Sequence, residues 1–274
     1  MARSLRRSLL YVPAVNARAL DKARGLPCDA VIVDLEDSVA PEAKDQARQA
    51  AVAALGAGFG GRETAIRCNA LDTPWGEADL KAALQARPDA VVLPKVRGPE
   101  DVAAVRAVLG GRIEIWAMIE SCRAVLDLAR IAAEPSLGAL LMGTNDLAAE
   151  MRCRLTTGRE ALAGALSQTV IAARAHGLSP LDGPFNDFRD LGGLESQCRH
   201  AAEMGFDGKS LIHPAQIEAA NALFSPSAER ISWARAVIAA FEADPGAGVL
   251  AVGGHMTERL HLAEARRVVA TALS

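Results

Sequence analysis

The residues of this chain that can do chemistry recur in one kind of place. They directly follow short apolar runs. The run DAVIVDLED, from Asp29, ends in Asp34, Glu36 and Asp37, and ETAIRCN, from Glu63, ends in Arg67 and Asn69. DAVVLPK ends in Lys95, IEIWAMIES in Glu120, and LGALLMGTND in Asn145 and Asp146. Two later runs, LSPLDGP and FDGKSLIHP, supply Asp182, and Lys209 with His213. A charge placed after a buried run needs a partner, because a bare ion there costs several kcal/mol.

Glu120 and Asp146 follow neighbouring runs. Two carboxylates that converge repel each other unless a cation sits between them. A hard divalent ion with oxygen ligands and retained water suits that arrangement, and Mg²⁺ is the first choice. The alternative is that each caps a helix or pairs with an arginine such as Arg123 or Arg152. Arg67 offers a planar fork for a substrate carboxylate, or else an ion pair with the DLED acids. Read as alternating strand positions, those acids are not all expected on one face. At least one of them should pair with Arg67 or Lys95. The histidines are weak signals: His213 precedes Pro214 and suggests a turn, and His176, His200 and His261 lie on helical stretches. No histidine and carboxylate have metal-ligand spacing. No GxSxG elbow is present, and the GPFND and GTND turns are too generic to mark a phosphate loop.

The elements that position these residues are strand-like runs alternating with helical stretches. The runs are continuously apolar, the signature of parallel strands buried on both faces. Eight such units over about 220 residues predict a TIM (β/α)8 barrel, whose site lies at the C-terminal ends of the strands. An open doubly wound sheet would show a glycine-rich first turn, and GxGxxG is absent. The barrel is expected over residues 1–224. Residues 225–274 read as an extension: a serine-capped helix, a DPGAG turn, a short strand or loop at VLAVGGHM, and a final helix. That helix carries Leu260, Leu262, Ala265, Val268 and Val269, an apolar set that needs burial. With no core of its own to join, the tail is expected over the barrel mouth or on a neighbouring subunit.

Composition agrees with a packed soluble core. The 274 residues are 50% hydrophobic and 23% charged, with a net charge of -3, which excludes global disorder. The balance argues against nucleic-acid binding. No apolar run reaches the roughly 18–20 residues of a membrane span. MARSLRR reads as the approach to the first strand rather than as a signal peptide. Five cysteines without CxxC spacing fit a reducing cytoplasm and give no zinc or disulfide signal.

RSLLYVPAVNARALDKA, DAVIVDLEDSVAPEAKDQAR, IRCNALDTPWGEADL, VVLPK, GFDGKSLIHPAQI and FSPSAERISWARAVIAAFEA together resemble the citrate lyase β-subunit-like (HpcH/HpaI aldolase/citrate lyase) family of acyl-CoA lyases. The resemblance runs from about Arg7 to the last helix. It implies a TIM barrel assembled as a homotrimer or a dimer of trimers. It also implies Mg²⁺ held by Glu120 and Asp146, and a substrate carboxylate held by Arg67 and by the Thr144, Asn145 and Asp146 turn. The implied reaction cleaves a 3-hydroxy-acyl-CoA of citramalyl-, malyl- or citryl-CoA type to acetyl-CoA and a 2-oxo acid. Glu36 and Asp37 join Arg67 in the catalytic set, and Arg18 and Lys44 are candidates for the coenzyme phosphates. Two departures stand out. The family's GAED is written here as GTND, so Asn145 replaces a glutamate. The family's C-terminal aspartate, which reaches a neighbour's site as the acid, is replaced by Glu258 in GGHMTERL. The alternatives are a malyl-CoA-type thioesterase, a free-acid aldolase, a subunit of a citrate lyase complex, and a non-catalytic metabolite-binding homologue.

Overall fold

The structure, a computed structural model, describes residues 5–273. Its eight parallel strands close into a barrel in sequential order. They are β1 (Ser8–Pro13), β2 (Ala30–Asp34), β3 (Glu63–Arg67), β4 (Ala90–Leu93), β5 (Glu114–Ile119), β6 (Leu137–Met142), β7 (Ser179–Asp182) and β8 (Gly208–Leu211). β1 pairs with both β2 and β8, which seals the ring. The expected TIM barrel is therefore the observed one.

The helices that follow the first four strands are α1 (Ala17–Ala23), α2 (Lys44–Gly56), α3 (Gly76–Ala86) and α4 (Pro99–Leu109). The stretch after β5 was expected as one helix. It forms two short ones, α5 (Cys122–Leu126) and α6 (Leu128–Ala132), because Asp127 between them leaves helical geometry. After β6, GTND itself opens a helix, α7 (Thr144–Glu150), before α8 (Ala163–Ala175). α9 (Leu191–Met204) and α10 (Ile217–Leu223) complete the ring.

Continuous apolar strands serve two cores at once. Ile32, Val92, Trp116 and Leu141 fill the inside of the barrel. Their neighbours Val31, Val33, Val91 and Leu140 face the helices. The N-terminal end of the barrel is plugged by Arg6, which is buried, stacks over Trp116 and pairs with Glu63 and Glu114. The clefts lined by the strand-end charged residues lie at the other end.

The tail departs from expectation. VLAVGGHM is a β-hairpin of β9 (Val249–Val252) and β10 (His255–Glu258). Its two-residue turn, Gly253-Gly254, has φ of 59° and 81°, the left-handed pair that a type I′ turn demands. The tail also has its own core. α11 (Ala228–Ala243), N-capped by Ser227, packs on α12 (Arg259–Leu273). Ala234, Val237, Phe241, Val252, Leu262 and Ala265 are buried together there. Most of the apolar set of α12 is thus satisfied within the chain, and Leu260 is the member left exposed. The tail does not lie over its own barrel mouth, because Thr271 shares a groove with Arg6 and Arg7 at the opposite end. Among the described residues, no helix is long and apolar enough to cross a membrane.

Candidate active site

Strand register builds the site. Asp34 is aligned with Arg67 across the β2–β3 pair, so both side chains enter the barrel mouth together. The Nε and Nη2 of Arg67 donate to the two oxygens of Asp34 at 2.7 Å each. Its Nη1 donates to Asp37 at 3.2 Å and lies 2.8 Å from Glu36 Oε2. The Glu36 contact lacks hydrogen-bond alignment, since that oxygen, though buried, has no directed donor. The Tyr11 ring lies beneath the guanidinium, 4.8 Å from Cζ.

This arrangement corrects the expected split of the DLED acids. β2 ends at Asp34, so strand alternation stops there, and the following turn lets all three acids meet one guanidinium. It also redefines the free part of Arg67. The Nε–Nη2 edge is committed to Asp34, and the outer Nη1–Nη2 edge faces Asp37, whose side chain is 63% exposed. Burial pushes Asp34 upward, but the Arg67 and Ser38 hydrogen bonds outweigh it and hold the carboxyl below its ordinary range. Glu36 shows the opposite balance. Burial dominates, Arg67 pulls down, Asp37 and Glu120 push up, and the carboxyl is raised to about 8.

Glu120 and Asp146 come together as expected, and a cation already stands between them. Lys95 Nζ lies 2.8 Å from Asp146 Oδ1 and 3.7 Å from Glu120 Oε1. The Lys95 backbone N–H also donates to Glu120 Oε1. The partner of the two acids is therefore this lysine rather than Arg123, which pairs with Asp127. Burial raises the Glu120 carboxyl, with Lys95 opposing the shift. Gly143 makes room for Glu120: a Cβ at this position would stand 2.4 Å from Glu120 Cβ. Among the described residues, no three His, Cys, Asp or Glu side chains gather as a metal cluster. Two carboxylates are what the sequence predicts, and two all-oxygen donors fit Mg²⁺, which usually keeps several waters.

Two clefts meet at Asp37. One, of about 370 Å³, is lined by Tyr11, Asp37, Arg67, Thr144, Asn145 and Asp146. Thr144 is buried and its Oγ1 has no partner. The other, of about 510 Å³, is lined by Asp37, Lys44, Trp75 and Lys95.

Lys44 does not serve as a phosphate ligand. Its Nζ is buried and gives all three protons away, to Leu35 O, Glu36 O and Asn69 Oδ1. It pins the DLED turn, and Asn69 in turn is held by Asp79. Arg18 stays exposed on α1. Asp182 and Lys209 point away from the mouth and form a buried network with Arg159 and Gln197. Arg159 was not anticipated, because nothing near it in sequence marks it as buried. His213 caps the turn at Pro214, as expected, and stacks on Phe188. Glu258 lines neither cleft of its own barrel.

The model of the HpcH/HpaI aldolase/citrate lyase family matches residues 7–214. The chain belongs to that family. Its relatives within the citrate lyase group include a (3S)-malyl-CoA thioesterase of Cereibacter sphaeroides, 47% identical over 97% of this chain and 94% of the relative. The mitochondrial citramalyl-CoA lyase of Rattus norvegicus is 33% identical over 98% of this chain and 86% of its own length. A solved structure of CitE from Mycobacterium tuberculosis in complex with magnesium, acetoacetate and coenzyme A superposes with a TM-score of 0.85 at 30% identity. That match covers 100% of this chain and 99% of the CitE chain.

Proposed function

We propose that the chain is a Mg²⁺-dependent enzyme that cleaves a 3-hydroxy-acyl-CoA of malyl- or citramalyl-CoA type at the open barrel mouth. The observation that carries this reading is the convergence of Glu120 and Asp146 on one cation beside Arg67 and the unpartnered Thr144 hydroxyl. Glu120 and Asp146 are the residues that would hold Mg²⁺. Bound there, the ion supplies Lewis-acid stabilisation of negative charge developing on the substrate hydroxyl oxygen. The substrate carboxylate takes the outer edge of Arg67, replacing Asp37, and accepts from Thr144 Oγ1. Asp37, solvent-facing and shared by both clefts, then takes the hydroxyl proton. The bond between C2 and C3 breaks, C3 becomes the keto carbon of the 2-oxo acid, and the electron pair passes to the CoA-bearing fragment. Protonation of that enolate at C2 gives acetyl-CoA. Glu258, delivered from a neighbouring subunit of a homo-oligomer, is the assigned acid. Arg18, exposed near the mouth, is assigned to the coenzyme phosphates.

A second reading is hydrolysis of the thioester in the same site. The 47% identity to a (3S)-malyl-CoA thioesterase favours it. Incubation of the purified chain with Mg²⁺ and malyl-CoA separates the two. Lyase action releases glyoxylate and acetyl-CoA in equal amounts. Hydrolysis releases malate and free CoA thiol without glyoxylate. Neither product set, with citramalyl-CoA equally inert, overturns the proposal.

A further inference from the structure

Lys95 is in an unusual position for an ordinary surface lysine. It has φ +54°, a left-handed conformation that non-glycine residues adopt rarely and at a cost. That backbone turn aims its N–H at Glu120 Oε1. Its side chain doubles back, so that Nζ touches Asp146 and approaches the same Glu120 oxygen. One residue therefore grips one acid through the backbone and both acids through its ammonium. Glu120 is almost fully buried, whereas the side chains of Lys95 and Asp146 are 41% and 47% exposed. A buried carboxylate beside a second carboxylate needs a positive charge, and in this chain the lysine supplies it.

We propose that Lys95 is a positioning residue that acts as an exchangeable counter-cation: its ammonium holds Glu120 and Asp146 together until a divalent ion takes its place. This rests on the reading of those two acids as the metal ligands. Three features support an exchange rather than a permanent pair. The Lys95–Asp146 pair is partly exposed on both sides, and solvent-screened pairs of that kind are weak, so the ammonium is easily displaced from Asp146. Two like charges cannot share the 2.8 Å contact at Asp146 Oδ1. The displaced side chain also has somewhere to go, because Lys95 already lines the second cleft with Asp37. The backbone N–H of Lys95 stays on Glu120 throughout, so one ligand remains aimed while the other is released.

Exchange has a distinctive consequence. Removing the ammonium takes away a competitor for the metal but leaves the metal-free acids repelling each other. Lys95→Asn tests this, because asparagine tolerates positive φ and carries no charge; Lys95→Met is a second variant should the first fold poorly. Mg²⁺ binding to the substrate-free full chain is measured by calorimetry, and thermal melting is followed with and without Mg²⁺. The expected result is Mg²⁺ affinity at least about tenfold higher in the variant, with a lower melting temperature than wild type that Mg²⁺ restores. Equal or weaker Mg²⁺ binding by a folded variant overturns the exchange while leaving the metal site intact. Absence of Mg²⁺ binding by wild type and variants alike overturns the metal site itself, and the exchange with it.

Discussion

Gly143 occupies a place where only a hydrogen fits. A Cβ there would meet both Cβ and Oε2 of Glu120, at 2.4 and 2.6 Å. Gly143 has ordinary negative φ, so the demand is for space alone. Gly143→Ala should cost about 1–3 kcal/mol by overpacking and push Glu120 off its Lys95 N–H. Denaturant unfolding and Mg²⁺ titration check this, and an unperturbed Mg²⁺ affinity would show that Glu120 is not a ligand. Glu36 supports a pH prediction. Its carboxyl is raised to about 8 by burial, with Arg67 opposing, against roughly 4.3 for a free glutamate. Between those values the folded chain keeps a proton that the unfolded chain releases. Its stabilising effect is therefore whole below about 4.3 and declines as pH rises through 8. Glu36→Gln lacks that decline. The melting temperature of the variant should rise relative to wild type from pH 5 to pH 8, and a pH-independent difference would contradict the raised value. Arg67, Glu120 and Asp146 were legible in the sequence because each directly follows an apolar run. Lys95 was legible as a strand-end residue but not as the shared partner of the two acids, since that depends on its positive φ. Lys44 misled because its three acceptors, Leu35, Glu36 and Asn69, meet only in the fold.

At the scale of elements, eight apolar runs translated directly into eight strands, because parallel strands buried on both faces leave no polar alternation to confuse the pattern. Breaks within helices were less legible. Asp127 splits one expected helix, and GTND continues as α7 because its turn packs Thr144 and Leu147 inward. The tail was misjudged for a related reason. The apolar positions of α12 find their partners on α11, across the hairpin, and helical periodicity does not say which face answers which. Phe241 sits in that small core at 4% exposure, and Phe241→Ala should cost about 3–5 kcal/mol there. Hydrogen exchange should show α11, α12 and the hairpin opening together while the barrel strands stay protected. Loss of protection throughout the barrel would mean that the tail is not a separate core.

At the scale of the molecule, one end of the barrel is sealed by Arg6 with Glu63 and Glu114, and the other gathers the acids, Arg67 and Lys95. Glu258 lies on a hairpin and lines neither cleft of its own chain, with Met256, Val249 and Leu260 exposed nearby. If the acid is delivered between subunits, Glu258→Gln should abolish turnover and leave Mg²⁺ binding within about twofold. Unchanged turnover would make it a surface residue. The central claim is that Glu120 and Asp146 hold the ion on which catalysis depends. Asp146→Asn keeps the size of the side chain and removes its charge, so Mg²⁺-dependent turnover of malyl-CoA by this variant and by wild type is the direct measurement. The account predicts a loss of at least about a hundredfold for Asp146→Asn, roughly 2.7 kcal/mol of transition-state stabilisation, with no turnover by wild type once Mg²⁺ is chelated. Wild-type rates in the variant, or turnover that persists in chelator, would contradict it.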